Sequence, residues 1–210
     1  MIVALISAVV GFGLYWLAHR SMVDDAFITL DYARQLGLHG RWGMVDGLIA
    51  NSATSPLSVL LLGGISAILR DEVLAVGVLL VCCFTVAGIW LYRIGGPVAT
   101  ALGVGLLATS PLLVSTIGLE SYLAITLMIG LVRFARTEAW WIVGALAGLL
   151  ILARPDLAVI SVIAVAAAVR FWWRVLRMVL VVTMPWFTWS WFALGSAIPD
   201  TFLMKAGSGG

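Results

Sequence analysis

The chain has 210 residues, 63% of them hydrophobic and only 10% charged, with a mean hydropathy of +1.14. That composition excludes an ordinary soluble domain and is expected of an all-α, polytopic transmembrane helix bundle forming a single domain over residues 1–210. The net charge of +2 comes from few ionisable groups with no basic tail or patch, so nucleic acid is not an expected partner, whereas a lipid bilayer is.

The first element is Ile2–Ala18, read as a transmembrane helix rather than a secretory signal. No basic residue precedes its apolar run, and Leu17-Ala18-His19-Arg20 is a poor cleavage site. Residues 19–72 follow as a long outer loop. It opens on the acid pair Asp24-Asp25 and the helix-forming run to Arg34. On a wheel, Asp24, Asp31, Arg34 and Gln35 share one half and Ala26, Leu30 and Ala33 the other, as in a helix lying in the membrane plane. Gly37, Gly40, Gly43 and Gly47 predict an irregular stretch after it. Later apolar segments cover approximately residues 55–69, 73–91, 97–115, 122–132, 140–152, 157–169 and 179–194. Several fall short of the roughly 20 residues that span a bilayer and need flanking residues or tilt. Cys82 and Cys83 lie inside one of these runs and read as packing residues; His19 and His39 lack metal-ligand spacing. Trp16, Trp90, Trp140, Trp141, Trp172 and Trp173 sit at segment ends, where aromatic belts form.

Arginines set the expected orientation, because short cytoplasmic loops collect Lys and Arg. Arg93, the pair Arg133 and Arg136, and the trio Arg170, Arg174 and Arg177 mark three such loops. Parity then requires that residues 55–69, with Pro56 near the start and Gly63-Gly64 in the middle, enter the membrane without crossing it. About seven crossings result. The rival arrangement, in which all eight segments cross, places arginine loops outside.

The chosen orientation sorts the acids. Asp24, Asp25, Asp31, Asp46, Glu120, Asp156 and Asp200 fall on the non-cytoplasmic side and Glu138 inside. Acids avoid hydrocarbon and belong in loops in any case. Glu120, Asp156 and Asp200, however, each stand alone in a short connection, in Gly118-Leu119-Glu120, Arg154-Pro155-Asp156 and Pro199-Asp200, and such loops can converge over one cavity.

These stretches carry a resemblance. Asp24-Asp25-Ala26-Phe27-Ile28 with Tyr32-Ala33-Arg34, then Thr54-Ser55-Pro56-Leu57, Gly118-Leu119-Glu120, Arg154-Pro155-Asp156 and Ile198-Pro199-Asp200-Thr201-Phe202 with Lys205, resemble the membrane glycosyltransferases of GT-C type. Within that superfamily the order is most similar to the actinobacterial terminal arabinofuranosyltransferases. The resemblance implies a multi-pass cell-membrane enzyme with its active site on the extracytoplasmic face. It would transfer a sugar from a polyprenyl-phosphate donor to a cell-envelope glycan acceptor, with Asp24 or Asp25 as catalytic base and Glu120 as the second acid. Resembling enzymes continue beyond the position of Gly210 through further helices and a soluble domain. The resemblance therefore implies that the chain corresponds to their N-terminal membrane core.

The residue types suit that chemistry. A carboxylate accepts the proton of the attacking hydroxyl, and positive charge meets the leaving phosphate, for which Arg20, Arg34, Arg154 and Lys205 are candidates. Snorkelling interfacial anchors are the plain alternative for each arginine. Tyr32, Thr54 and Ser55 are candidate sugar contacts, although Thr54-Ser55-Pro56 equally reads as a helix cap. Asp156 and Asp200 complete the substrate-facing set. A divalent cation is compatible with the acids, but no cofactor and no metal ligand is assigned. Two other classes compete: a non-catalytic membrane subunit or inactive fragment, and a transporter or flippase. The latter would place ionisable groups at mid-membrane and show repeated halves, and neither pattern is found.

Overall fold

The computed structural model describes residues 1–44, 53–135, 137–167 and 170–196. Asp46, Gly47, Arg136, Asp200 and Lys205 lie outside the described residues. Within them the fold is all-helical, with no strand. In chain order the helices are α1 (Ile2–Ala18), α2 (Asp24–His39), α3 (Pro56–Leu69), α4 (Glu72–Thr109), α5 (Pro111–Val114), α6 (Ser121–Phe134), α7 (Trp140–Ala153), α8 (Ala158–Ala167) and α9 (Trp172–Leu194). By length and composition, α4 and α9 are long and apolar enough to cross a membrane.

Helix α4 is two arms rather than one rod. Gly95 and Gly96 leave helical geometry, Gly96 with a φ of +70° that a side chain rarely adopts, and Pro97 restarts the helix with its fixed φ. The arms fold back on each other, as Gly103 packing on Leu91 and Val104 facing Gly88 show. Asp71 caps the first arm by accepting a 2.8 Å hydrogen bond from the Leu74 amide.

Side-chain pairings give each helix its direction. Ser7 meets Gly88, Gly11 meets Phe84 and Tyr15 meets Gly77, so α1 runs antiparallel to the first arm of α4. Residues 18 and 72 therefore share one end. Between them, α2 and α3 pair closely, with Gly37 against the Gly63 carbonyl and Ser66. Helix α6 runs parallel to the first arm: Phe84 meets Tyr122, with ring centroids 5.6 Å apart, and Trp90 packs on Gly130 and on Phe134. Tyr122 also donates to the Leu107 carbonyl at 3.2 Å, tying α6 to the returning arm. Helix α7 runs back along α6, with Gly130 against Leu146. Helix α8 reverses again, its Ser161 hydroxyl donating to the Ala147 carbonyl at 2.9 Å. Helix α9 then runs parallel to α7, seating Met178 on Gly144 and Val182 on Gly148. Small residues at these seams let the backbones approach closely.

The helix ends thus form two sets. At one lie Met1, Arg93, Arg133, Trp140 and Arg174; at the other lie residue 18, the start of α2, Glu120, Arg154 and Asp156. One sequence expectation is corrected. Arg174 and Arg177 are not in a loop, because α9 begins at Trp172 and carries both in its first two turns. Their guanidinium groups lie over aromatic rings, Arg174 over Trp140 at 6.0 Å and Arg177 over Trp173 at 3.9 Å, so the cations need no loop to stay at the polar end.

Candidate functional site

The acid pair opens α2, where two carboxylates in the first turn complement the helix dipole. Ala26, Leu30 and Ala33 face inward, while Asp24, Asp25, Asp31 and Arg34 are exposed. The helix stops at Gly40, whose φ of +64° permits its amide to close back on Gln35 and Leu36.

Gly118 brings that first turn onto the connection before α6. Its φ is +93°, and a Cβ there would stand 2.8 Å from the Ala26 Cβ and 3.1 Å from the Met22 sulfur. A residue other than glycine would be strained and would push α2 away. Asp25 precedes Ala26 directly and Glu120 follows Gly118 by two residues, so the acid pair and Glu120 are carried on two touching segments. Beneath them is a cavity of about 20 Å³ lined by Leu62, Val76, Leu80, Cys83, Leu119 and Tyr122. It is apolar and of the order of one water molecule, not a sugar subsite.

Glu120 in turn reaches Arg154. The backbone of Arg154 is extended, φ −149° and ψ 100°, where Pro155 ends α7 and starts a single 3-10 turn. That bend lets Asp156 grip the guanidinium of its near neighbour in a fork, Nε to Oδ1 at 3.1 Å and Nη2 to Oδ2 at 2.9 Å. Glu120 Oε1 stands 3.8 Å from Arg154 Nε. The arginine pKa is raised, chiefly by the hydrogen bond to Asp156 and further by the charges of Asp156 and Glu120, against a lowering by partial burial. Because the charged form is the one favoured, the guanidinium stays positive at any pH at which a protein is handled. Asp156 uses two of its five N–H donors, leaving others for an anion.

The remaining sequence candidates separate. Tyr32 is wholly buried, its ring 5.4 Å from Trp42, which also meets Trp186 at 4.6 Å and Trp189 at 5.7 Å. Arg20, Arg34 and Thr54 are exposed. Ser55 occupies the N-cap of α3 with Pro56 at the first helical position, yet its side chain makes no capping bond, and its buried hydroxyl has no partner among the described residues. Among the described residues no three His, Cys, Asp or Glu side chains gather into a metal site. Sequence reasoning did not single out Met22, whose sulfur supports the Gly118 turn, or the Trp42, Trp186 and Trp189 cluster that pins the chain after α2 to α9. The short Gly40-Arg41-Trp42-Gly43 run, a bulky ring between glycines, was the available signal for the latter.

Comparisons with protein-family models, curated proteins and solved structures gave no match to this chain.

Proposed function

We propose that the chain is the membrane core of a GT-C-type glycosyltransferase. It transfers a sugar, arabinofuranosyl by resemblance, from a polyprenyl phosphate to a cell-envelope glycan. In this reading α1, both arms of α4, α6, α7, α8 and α9 make seven crossings, while α2 and α3 stay on the extracytoplasmic side and α3 is partly embedded. The shared end of residues 18 and 72 supports this count, and the arginine-bearing end faces the cytoplasm by the positive-inside tendency.

The observation that carries the reading is the contact between the acid-bearing first turn of α2 and the Gly118 turn, next to the Glu120, Arg154 and Asp156 cluster. On this reading a carboxylate of Asp24 or Asp25 takes the proton of the acceptor hydroxyl as its oxygen attacks the anomeric carbon. The bond from that carbon to the phosphate oxygen breaks, and polyprenyl phosphate leaves with the electron pair. Arg154, with Arg34 and Lys205 as further candidates, receives the phosphate charge, and Glu120 and Asp156 position Arg154.

The test is transfer from a radiolabelled polyprenyl-phosphate arabinofuranose to an arabinan oligosaccharide by the full chain in proteoliposomes. Asp24→Asn and Asp25→Asn are compared with the parent, and melting is followed in parallel. At least one variant is expected to lose about 100-fold or more in rate, the range of a general base, with its melting temperature retained. Full rates in both variants would reject the assignment. A folded parent with no transfer to any glycan acceptor would favour a non-catalytic subunit.

A further inference from the structure

At the end of the bundle opposite the acids, Trp90 packs on Gly130 and stands edge-on to Phe134, ring centroids 6.0 Å apart. Since α6 runs parallel to the first arm of α4, one helical step of three residues beyond this pairing places Arg93 beside Arg133. The two side chains line one open groove of about 360 Å³, completed by Ile94, Val132 and Thr137. Neither guanidinium has an ion pair among the described residues. Glu138, the one described acid at this end, pairs with neither. Two unneutralised cations in one groove repel each other and make a strong site for an anion. The walls identify the kind of anion: Ile94 and Val132, which line the same groove as the two arginines, are exposed and apolar. A free phosphate has no use for such walls, whereas an acyl chain does.

We propose that the groove between Arg93 and Arg133 binds an anionic phospholipid. Its phosphate would lie between the guanidinium groups and an acyl chain along Ile94 and Val132. Basic pockets between helices on the cytoplasmic side take lipid headgroups in this way, and arginine suits phosphate oxygens better than lysine does. The proposal rests on the reading of the chain as a membrane protein and is independent of the transfer chemistry. Recovery of the chain in vesicles reports on the membrane reading, and lipid preference reports on the groove.

The test is native mass spectrometry of the purified full chain titrated with dioleoylphosphatidylglycerol or dioleoylphosphatidylcholine. Roughly tenfold preference for the anionic lipid is expected, in keeping with the contribution of two arginines near a charged headgroup. Arg93→Gln/Arg133→Gln should abolish the preference, while Arg174→Gln/Arg177→Gln, which changes arginines that do not line the groove, should leave most of it. The charge-keeping Arg93→Lys/Arg133→Lys protein should retain part of the preference, which reads the site even if the glutamine pair fails to fold. Equal binding of both lipids by the parent would overturn the proposal. So would a preference lost equally in the Arg174/Arg177 variant, or displacement of the bound lipid by equimolar inorganic phosphate.

Discussion

The two ends of the bundle hold their arginines by different means. At one end Arg133, Arg174 and Arg177 lie over the rings of Phe134, Trp140 and Trp173. At the other Arg154 is forked by Asp156 and approached by Glu120. An aromatic ring supports a guanidinium without cancelling its charge, so the first end keeps a positive field. A carboxylate cancels the charge and fixes its direction, so the second end is poor in net positive charge but precise in geometry. A charged surface to be held against lipid needs the first arrangement, and groups that must meet reacting atoms need the second.

Sidedness is the largest effect by which the comparison can be broken. With Cys82 and Cys83 replaced by alanine, Glu138→Cys and Asp156→Cys place one thiol at each end, both at exposed positions. A membrane-impermeant maleimide should label Asp156→Cys from outside intact cells and Glu138→Cys only after permeabilisation, an all-or-none contrast. Labelling of both from the same side would refute opposite-facing ends. Next in size is Gly118→Val. A side chain there meets Ala26 and must adopt a left-handed backbone, so a loss of roughly 2–4 kcal/mol in stability is expected, seen as a lower melting temperature in detergent. An unshifted melt would mean that α2 does not rest on this turn. The smallest effect is Asp156→Asn. Its pair with Arg154 is partly open to solvent, at 49% and 38% side-chain exposure, so the cost should stay below about 1 kcal/mol. A much larger cost would show that the fork holds the fold rather than only the arginine.

Much of the scaffold was legible because apolar runs broken by Gly, Pro and charges are direct signals of helix ends. The break before Pro97 separated the arms of α4, and Pro56 marked a start. The beginning of α9 was not legible from apolarity. Trp172-Trp173-Arg174 reads as a belt followed by a loop, and only the stacking of Arg174 and Arg177 on rings shows why charged residues continue a helix there. At the candidate site, isolated acids in short connections pointed to Glu120 and Asp156. Their joint hold on Arg154 depends on the extended backbone before Pro155, which residue type alone does not specify. The burial of Tyr32 was not legible for a related reason. A tyrosine beside acids suggests a sugar contact, but its position on α2 turns it toward Trp42, and burial follows from that partner. The pairing of Gly118 with Ala26 links residues far apart in sequence, and no local pattern encodes it.

The parallel seating of Met178 and Val182 on Gly144 and Gly148 has a consequence for biogenesis. Helix α7 finishes synthesis with that seam bare and cannot close it until α8 has turned back and α9 has emerged in the same direction. During that interval Gly144 and Gly148 lack the α9 residues that later cover them. The order of emergence from the ribosome therefore fixes which partly packed intermediate the chain passes through.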